Sequence, residues 1–166
     1  MDIQLRRKDE NDSDFLFKLF GEIKIAELNA GSWPQQMQDQ LIQMQFTAFE
    51  QSVKNEYPFS EDYIILHDSE RAGRLQINKE VDHIRVINIS LLPAYRNKGI
   101  GSGILKKIIQ EAESANKPVL LEVDKVNTAV NLYRRLRFEV YEENEIKYGM
   151  KYAPSPDQLG EGALLM

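Results

Sequence analysis

Cysteine is absent from this 166-residue chain, and histidine and tryptophan are scarce, with two and one residues. Without thiols there are no disulfides, no thiolate metal ligands and no cysteine nucleophile. The two histidines, His67 and His83, are too few to favour a histidine-based metal site, so no metal is expected.

Long hydrophobic runs and an excess of positive charge are also missing. No apolar run approaches the roughly 18 residues of a membrane span, and residues 1–7 lack the apolar centre of a signal peptide. We therefore expect a cytoplasmic protein with no membrane partner. Lysine and arginine total 21 against 26 acidic residues, and the formal net charge of -5 argues against a nucleic-acid partner.

What is present is typical of a globular domain. The composition is 42% hydrophobic and 28% charged, and 166 residues suit one core of ordinary size. We predict a single domain over residues 1–153. Residues 154–166 contain Pro, Gly, Asp and Gln and are predicted to form a flexible C-terminal tail.

Hydrophobic periodicity predicts an α/β (α+β) chain. Residues 3–7 alternate as a strand, and two amphipathic helices follow over about 15–28 and 34–56. In these helices Met37, Met44, Phe46 and Phe49 are expected in the core. Further strands are predicted at 63–66, 73–77, 84–91, 118–123, 138–141 and 146–152, and helices at about 100–109 and 127–136.

The segment Arg96–Gly103 carries the strongest functional signal. A strand, a short basic glycine-rich loop and a helix follow one another, and the unpaired N–H groups of such a helix start attract a phosphate. The segment is not a P-loop, because Lys98 precedes Gly99. It is not a dinucleotide fingerprint, because Ile104 or Lys106 stands where Gly or Ala is needed. A helix-entry turn without a ligand is the remaining alternative.

Motifs on both sides of the loop resemble those of the GCN5-related N-acetyltransferases, the GNAT superfamily. The family's coenzyme A loop, Q/R-x-x-G-x-G/A, is matched by Arg96, Gly99 and Gly101, preceded by Tyr95 and by a hydrophobic-x-Pro strand end. Further matches follow in family order at Leu121–Val123, Asn127, Leu132-Tyr133 and Arg137-Phe138. The resemblance covers about residues 60–152. Arg137 departs from it, since the family has a glycine there that ends the helix in a left-handed conformation.

The resemblance implies a GNAT fold: a mixed, mostly antiparallel twisted sheet of about six or seven strands, splayed at the cofactor site, with about four helices. It implies acetyl-CoA as cosubstrate and Tyr133 as the general acid that protonates the leaving thiolate. The implied coenzyme-binding residues are Ile89, Leu91, Arg96, Asn97, Lys98, Gly99, Ile100, Gly101, Ser102 and Asn127.

A general base is harder to assign. Many family members place a glutamate on the strand before the loop, whereas that strand holds Arg85, Asn88 and Ser90 here. The alternatives are Asp82, Glu22 and Glu27, each better explained as a surface or structural carboxylate. Asn88 or Ser90 holding a relay water is the other alternative.

The resemblance further implies an acceptor bound over the first two helices and the late hairpin. We predict that Glu22, Trp33 and Gln45 line the acceptor pocket. The predicted function is N-acetyl transfer from acetyl-CoA to a primary amine of a small molecule or peptide, by direct attack in a ternary complex. The alternatives are a coenzyme A-binding or sensing module without strong catalysis, and an acyltransferase that uses another acyl-CoA or an O-acceptor. A homodimer is also an expectation from the family.

Overall fold

The computed structural model describes residues 2–154. Its strands are β1 (Ile3–Arg7), β2 (Glu61–His67), β3 (Glu70–Lys79), β4 (Ile84–Leu91), β5 (Val119–Asp124), β6 (Glu139–Glu143) and β7 (Lys147–Tyr152). Its helices are α1 (Ser13–Glu27), α2 (Gln35–Glu56), α3 (Ile100–Ser114) and α4 (Ala129–Arg135). Among them, none combines the length and hydropathy that crossing a membrane requires. The predicted tail falls almost wholly outside the described residues, and Pro154, its first residue, is buried.

The seven strands form one mixed sheet in the order β1-β2-β3-β4-β5-β7-β6, which confirms the predicted fold class. The pairs β1–β2, β5–β7 and β6–β7 are antiparallel, and β4–β5 is parallel. The β4–β5 register contains only three residue pairs, from Ile84↔Val119 to Val86↔Leu121. The second half of β4 therefore lies outside this register, as the predicted splay requires.

The described chain divides into two compact units. The first comprises residues 2–76 and 88–96, and the second comprises residues 77–87 and 97–154. Strands β3 and β4 each contribute residues to both units. The single domain over residues 1–153 stays a prediction.

The first unit is built on the crossing of α1 and α2. A Cβ at Gly21 would lie 3.3 Å from Ile42 Cγ2, so the missing side chain lets the two helices approach closely. The half-buried ring of Phe46 packs edge-on against Phe17 and Phe20 of α1, with ring centroids 5.6 and 5.3 Å apart. The ring centroid of Phe49 lies 5.7 Å from that of Phe20.

The expected burial of Met37 and Met44 is wrong. These side chains are 51% and 63% exposed, whereas Ile42 and Val53 are the buried residues of α2. This helix carries two apolar stripes on nearly opposite sides, one through Met37 and Met44 and one through Ile42, Phe46 and Phe49. Only the second faces α1, because it is the one that meets Gly21.

The second unit packs α3 and α4 around β5. The apolar face of α3 is formed by Ile100, Ile104, Leu105, Ile108 and Ala112, all buried. After α4, Arg137 adopts φ 73°, so it takes the left-handed conformation that its position in the motif predicts. The ring of Phe138 packs between two tyrosine rings: its centroid lies 5.8 Å from that of Tyr133 and 5.9 Å from that of Tyr152.

Gly73 marks a very close approach of β3 to β4. A Cβ built there would lie 2.0 Å from the carbonyl oxygen of Ser90, and the backbone of Leu92 bonds that of Ala72 at 2.9 Å beside it. We expect Gly73→Ala to lower the free energy of unfolding by about 2 to 3 kcal/mol, because a strand backbone must move. Urea denaturation measures this. The control is Gly31→Ala, where nothing lies within 4 Å of the new Cβ; equal losses in the two variants would contradict the account.

Candidate functional site

The glycine-rich loop enters α3 through two left-handed residues. After a 3₁₀ turn at Pro93–Tyr95, Asn97 has φ 60° and Gly99 has φ 81°, and Gly99 is the N-cap residue of α3. The carbonyl of Gly99 accepts from the N–H of Gly103 at 3.0 Å, which begins the helical bonding pattern. The N–H groups of Ile100, Gly101 and Ser102 precede that first bond and therefore have no intrahelical acceptor.

Space remains open in front of this helix start. A Cβ at Gly101 would meet only Leu132 Cδ2, at 4.0 Å, and a Cβ at Gly103 would meet nothing within 4 Å. Arg96 to Gly99 are exposed, while Ile100 is buried and fixes the loop to its unit. Oriented N–H groups, a helix dipole and open space together suit a phosphate group.

Arg96 lies on the strand side of the loop. Its Nε donates a hydrogen bond to the carbonyl oxygen of Leu91, at 3.1 Å. Ile89 and Leu91 of β4 are half-buried, and both lie beyond the three residue pairs that β4 forms with β5. Their peptide groups are thus the ones that an added extended chain could bond.

Asn127 orders the start of α4. Its Oδ1 accepts from the N–H of Ala129 at 2.8 Å, so this side chain satisfies one of the unpaired donors of the helix start. Asn127 therefore has a structural role at this helix start, and its side chain remains exposed.

Tyr133, from the middle of α4, is 7% exposed and packs on Phe138. Burial raises the pKa of its phenol from the ordinary value of about 10 to about 12, so the group keeps its proton at neutral pH and well above it. Among residues 2–154 its hydroxyl has no hydrogen-bond partner, and since no fully buried side-chain oxygen there lacks one, the hydroxyl oxygen retains some accessible surface. A protonated phenol on a buried ring, with an accessible oxygen that no neighbour engages, is suited to donate to a ligand.

A large and a small pocket lie within the first unit. The larger, of about 810 Å³, lies between α1 and α2 and reaches Pro93. Glu22 lines it, together with Lys18 and Asp39, whereas Trp33 and Gln45 do not. Trp33 is 40% exposed and its carbonyl accepts from Gln38 Nε2 at 2.9 Å; Gln45 is half-buried.

The smaller pocket, of about 140 Å³, lies beneath α1. Its apolar lining comes from α1 and α2, namely Leu16, Leu19, Phe20, Ile23 and Phe49. Its polar lining comes from Arg74 of β3, Asn88 and Ser90 of β4, and Lys24 and Glu27 at the end of α1. The structure thus separates the two helix carboxylates, with Glu22 in the larger pocket and Glu27 in the smaller one.

Two buried polar residues of β3 behind this small pocket, Arg74 and Gln76, were not predicted from the sequence. Arg74 is only 3% exposed and is held by Glu50 at 2.6 Å and by Asp62 at 2.7 Å. Gln76 is 2% exposed. The alternation of Arg74 and Gln76 in β3 resembles a solvated strand face, and only the two preceding helices signalled that this face is covered.

Asp82 has a different environment. In the part of the chain that the structure describes, Glu80, Asp82 and His83 bring ligand atoms within 4.8 Å of one another. The ring nitrogens of His83 lie 2.8 Å from Asp82 and 3.2 Å from Glu80, so each faces a carboxylate. The hydrogen bond from His83 lowers the pKa of Asp82, which makes this carboxylate a weaker base.

Residues 19–138 match the model of the acetyltransferase (GNAT) family. A curated relative, the [ribosomal protein bS18]-alanine N-acetyltransferase of Haemophilus influenzae, is 33% identical over 87 residues. That match covers 52% of this chain and 56% of the relative, so the chain spans about half the length of this curated relative.

Two solved structures share the fold. The PaiA N-acetyltransferase of Thermoplasma acidophilum, in complex with coenzyme A, superposes with a TM-score of 0.67 at 16% identity, over 92% of this chain and 99% of that one. The N-acetyltransferase PseH of Campylobacter jejuni, in complex with acetyl coenzyme A, gives a TM-score of 0.60 at 17% identity, over 93% and 100%. Because the family model covers most of the sequence, this chain belongs to the acetyltransferase (GNAT) family.

Proposed function

We propose that this protein transfers the acetyl group of acetyl-CoA to a primary amine of a small molecule or a peptide, by direct attack in a ternary complex. The observation that carries the proposal is the glycine-rich helix start inside the region matched by the family model. Relatives of the same fold bind coenzyme A or acetyl coenzyme A.

The donor is assigned to the second half of β4 and to the loop that follows. The N–H groups of residues 97–102 bind the pyrophosphate, and Arg96 and Lys98 add positive charge. The backbone of Ile89 and Leu91 pairs with the pantetheine arm as an added strand would. Asn127 is assigned to the same arm, in addition to its cap.

Tyr133 is the proposed general acid. As the amine nitrogen bonds the thioester carbon and the C–S bond breaks, negative charge develops on sulfur. The phenol of Tyr133, which is protonated at neutral pH, donates its proton to that sulfur. Its desolvated position strengthens this interaction relative to water.

The acceptor site is assigned to the first two helices, with Glu22, Trp33 and Gln45 as its predicted residues. Glu22 lines a pocket of about 810 Å³, which is a typical size for a small-molecule site. The Haemophilus influenzae relative acts on an alanine of a ribosomal protein, so a peptide with a free N-terminal alanine belongs among the acceptors to be tested. A homodimer, a cytoplasmic location and the absence of a metal stay predictions.

A coenzyme A-binding module without strong catalysis is the second candidate. It is favoured by one observation: β4 carries Arg85, Asn88 and Ser90 and no carboxylate that could serve as the base. Another acyl-CoA would fit the same donor site, and the same donor site would equally serve transfer to an O-acceptor.

Two measurements test the proposal. Calorimetric titration with acetyl-CoA, with ATP and NAD as controls, is expected to show binding of acetyl-CoA alone. Thiol release with a panel of amines, amino acids, peptides and aminoglycosides is then expected to identify an acceptor. Binding without release on any acceptor would favour the non-catalytic module, and binding of ATP or NAD in place of acetyl-CoA would contradict both candidates.

A further inference from the structure

The larger pocket, between α1 and α2, combines an apolar floor with charged side chains of both signs. Its apolar lining includes the half-buried Phe17 and Ile25 and the buried Ile42. The charged residues of its lining, among those that the structure describes, are Lys18, Glu22 and Asp39, and all three are exposed. A ligand in this pocket can therefore cover apolar surface while its polar groups meet a cation and two carboxylates.

Lys18 and Glu22 lie one helical turn apart on α1, at a spacing where opposite charges often pair. Within residues 2–154, however, neither side chain has an ion pair or a hydrogen bond. A lysine four residues before a glutamate is the less favourable order for a helical ion pair. Both charges are therefore available to a ligand.

Asp39 brings the second carboxylate from α2. Its Oδ1 accepts a hydrogen bond from Gln35 Nε2 at 2.8 Å, and because this donor is uncharged, the negative charge is kept. Gln38 Nε2 donates to the carbonyl oxygens of Gly31 and Trp33, at 3.2 and 2.9 Å, which ties the chain between the two helices to α2. The three charges are thus carried by two helices that are joined at the pocket.

This arrangement of charges discriminates between classes of primary amine. A polyamine would satisfy the two carboxylates but would bring a further ammonium group near Lys18, and like charges repel. An amine with a doubly charged phosphate would meet two carboxylates and only one cation. A zwitterion with one ammonium and one carboxylate group finds the opposite charge for each of them.

We propose that the acceptor is a free amino acid, a small molecule that carries a carboxylate close to its primary amine. Lys18 binds the carboxylate, and Glu22 and Asp39 attract the ammonium form in which the amine arrives at neutral pH. The inference rests on the proposed acetyl transfer and names the class of its acceptor. Lys18 is then a specificity-determining residue, since it attracts amino acids and repels polyamines. A peptide N-terminus, whose terminal carboxylate lies far from its amine, does not gain the contact with Lys18.

The test measures thiol release by the full chain with three matched acceptors. These are the best amino acid of the panel, its carboxamide, and the amine that remains when the carboxylate is removed. The wild type is expected to show kcat/KM about 5-fold or more higher for the amino acid than for either of the others, mainly through KM, as one partly exposed ion pair allows.

Lys18→Gln should abolish this preference, and Lys18→Glu should reverse it in favour of the two acceptors without a carboxylate. Glu22→Gln should lower kcat/KM for all three acceptors and keep the preference, because all three carry the ammonium group. The KM for acetyl-CoA should stay unchanged in each variant. A residue that only supports the fold would change the three acceptors alike, so the preference reports the charge at position 18.

Lys24→Gln is the matched control. It removes the same charge from the same helix, but Lys24 lies outside the lining of this pocket and pairs with Glu27 at 3.3 Å. Its preference should equal that of the wild type. The inference is overturned, and acetyl transfer left standing, if the wild type uses the carboxamide or the plain amine as well as the amino acid, or acetylates other amines of the panel but no amino acid. It is also overturned if Lys18→Gln keeps the preference or Lys24→Gln loses it equally. A wild type that releases no thiol with any acceptor overturns the proposed function, and this inference with it.

Discussion

Replacing Tyr133 by phenylalanine is expected to lower kcat for acetyl transfer about 100-fold or more. The ring that packs on Phe138 is kept, so only the hydroxyl is lost. That hydroxyl has no partner among residues 2–154, and its removal leaves no buried group unpaired there. The free energy of unfolding and the affinity for acetyl-CoA should therefore hardly change. Steady-state kinetics measure kcat, calorimetric titration measures the affinity, and urea denaturation measures the free energy of unfolding.

Tyr152→Phe is the matched control for this experiment. Tyr152 is also buried, but its hydroxyl is hydrogen-bonded to Glu113. This variant should lose about 1 kcal/mol of stability with the lost hydrogen bond and keep its kcat. Normal turnover in Tyr133→Phe, or an equal loss of kcat in both variants, would remove the general-acid role.

The pKa of Tyr133 also sets an expectation for pH dependence. Burial raises this pKa to about 12, so the phenol holds its proton well beyond neutral pH. Deprotonation of Tyr133 should therefore not lower kcat until the pH approaches that value. Any fall of kcat on the alkaline side between neutral pH and about pH 10, the ordinary pKa of tyrosine, must come from another group.

Replacing Gly101 by aspartate is expected to weaken acetyl-CoA binding about 100-fold or more. The carboxylate would occupy the open space before the first turn of α3, where the pyrophosphate is proposed to lie, and like charges at such distances cost several kcal/mol. Folding should not suffer. A Cβ at this position meets only Leu132, at 4.0 Å, and an acidic residue in the first turn of a helix is favourable. Calorimetric titration gives the affinity and urea denaturation the stability.

Gly103→Asp is the matched control, since it adds the same charge two residues along the same helix. A Cβ at Gly103 meets nothing within 4 Å, and its N–H is already bonded to the carbonyl of Gly99. Residue 103 also lies outside the donors assigned to the phosphates. We expect a much smaller loss of affinity here. Equal losses in both variants would indicate a general charge effect and contradict a phosphate site at residues 97–102.

The succession of strand β4, glycine-rich loop and helix α3 could be predicted from the sequence, because each of these elements is determined by residues within it. Alternation defines the strand, glycine permits the left-handed turn at Gly99, and the apolar face of α3 has helical spacing. The left-handed Arg137 was predictable for the same reason, as its position in the motif fixes the backbone whatever the side chain.

The face of α2 could not be predicted in this way. Its two apolar stripes lie on nearly opposite sides of the helix, and either could be buried by a partner helix. The choice is made by Gly21 of α1, which admits Ile42 and leaves Met37 and Met44 exposed. Such a choice depends on how two distant segments cross, and periodicity within one segment does not contain that information.

The polar floor of the small pocket escaped prediction for a related reason. Arg74 and Gln76 alternate with apolar neighbours, which is the pattern of a solvated strand face. Burial of that face becomes possible only because Glu50 and Asp62, from α2 and β2, neutralise Arg74. The same crossing of helices sends Glu22 and Glu27, five positions apart on α1, into different pockets.

The most direct test of acetyl transfer is a product balance on the wild-type protein. Free thiol and acetylated acceptor are quantified together, the first by a thiol reagent and the second by mass spectrometry, with a reaction lacking acceptor as the blank. The account predicts equal amounts of the two products, with the acetyl group on nitrogen and release that requires the acceptor. Thiol release no greater than the blank for every amine in the panel, in a protein that binds acetyl-CoA, would contradict it.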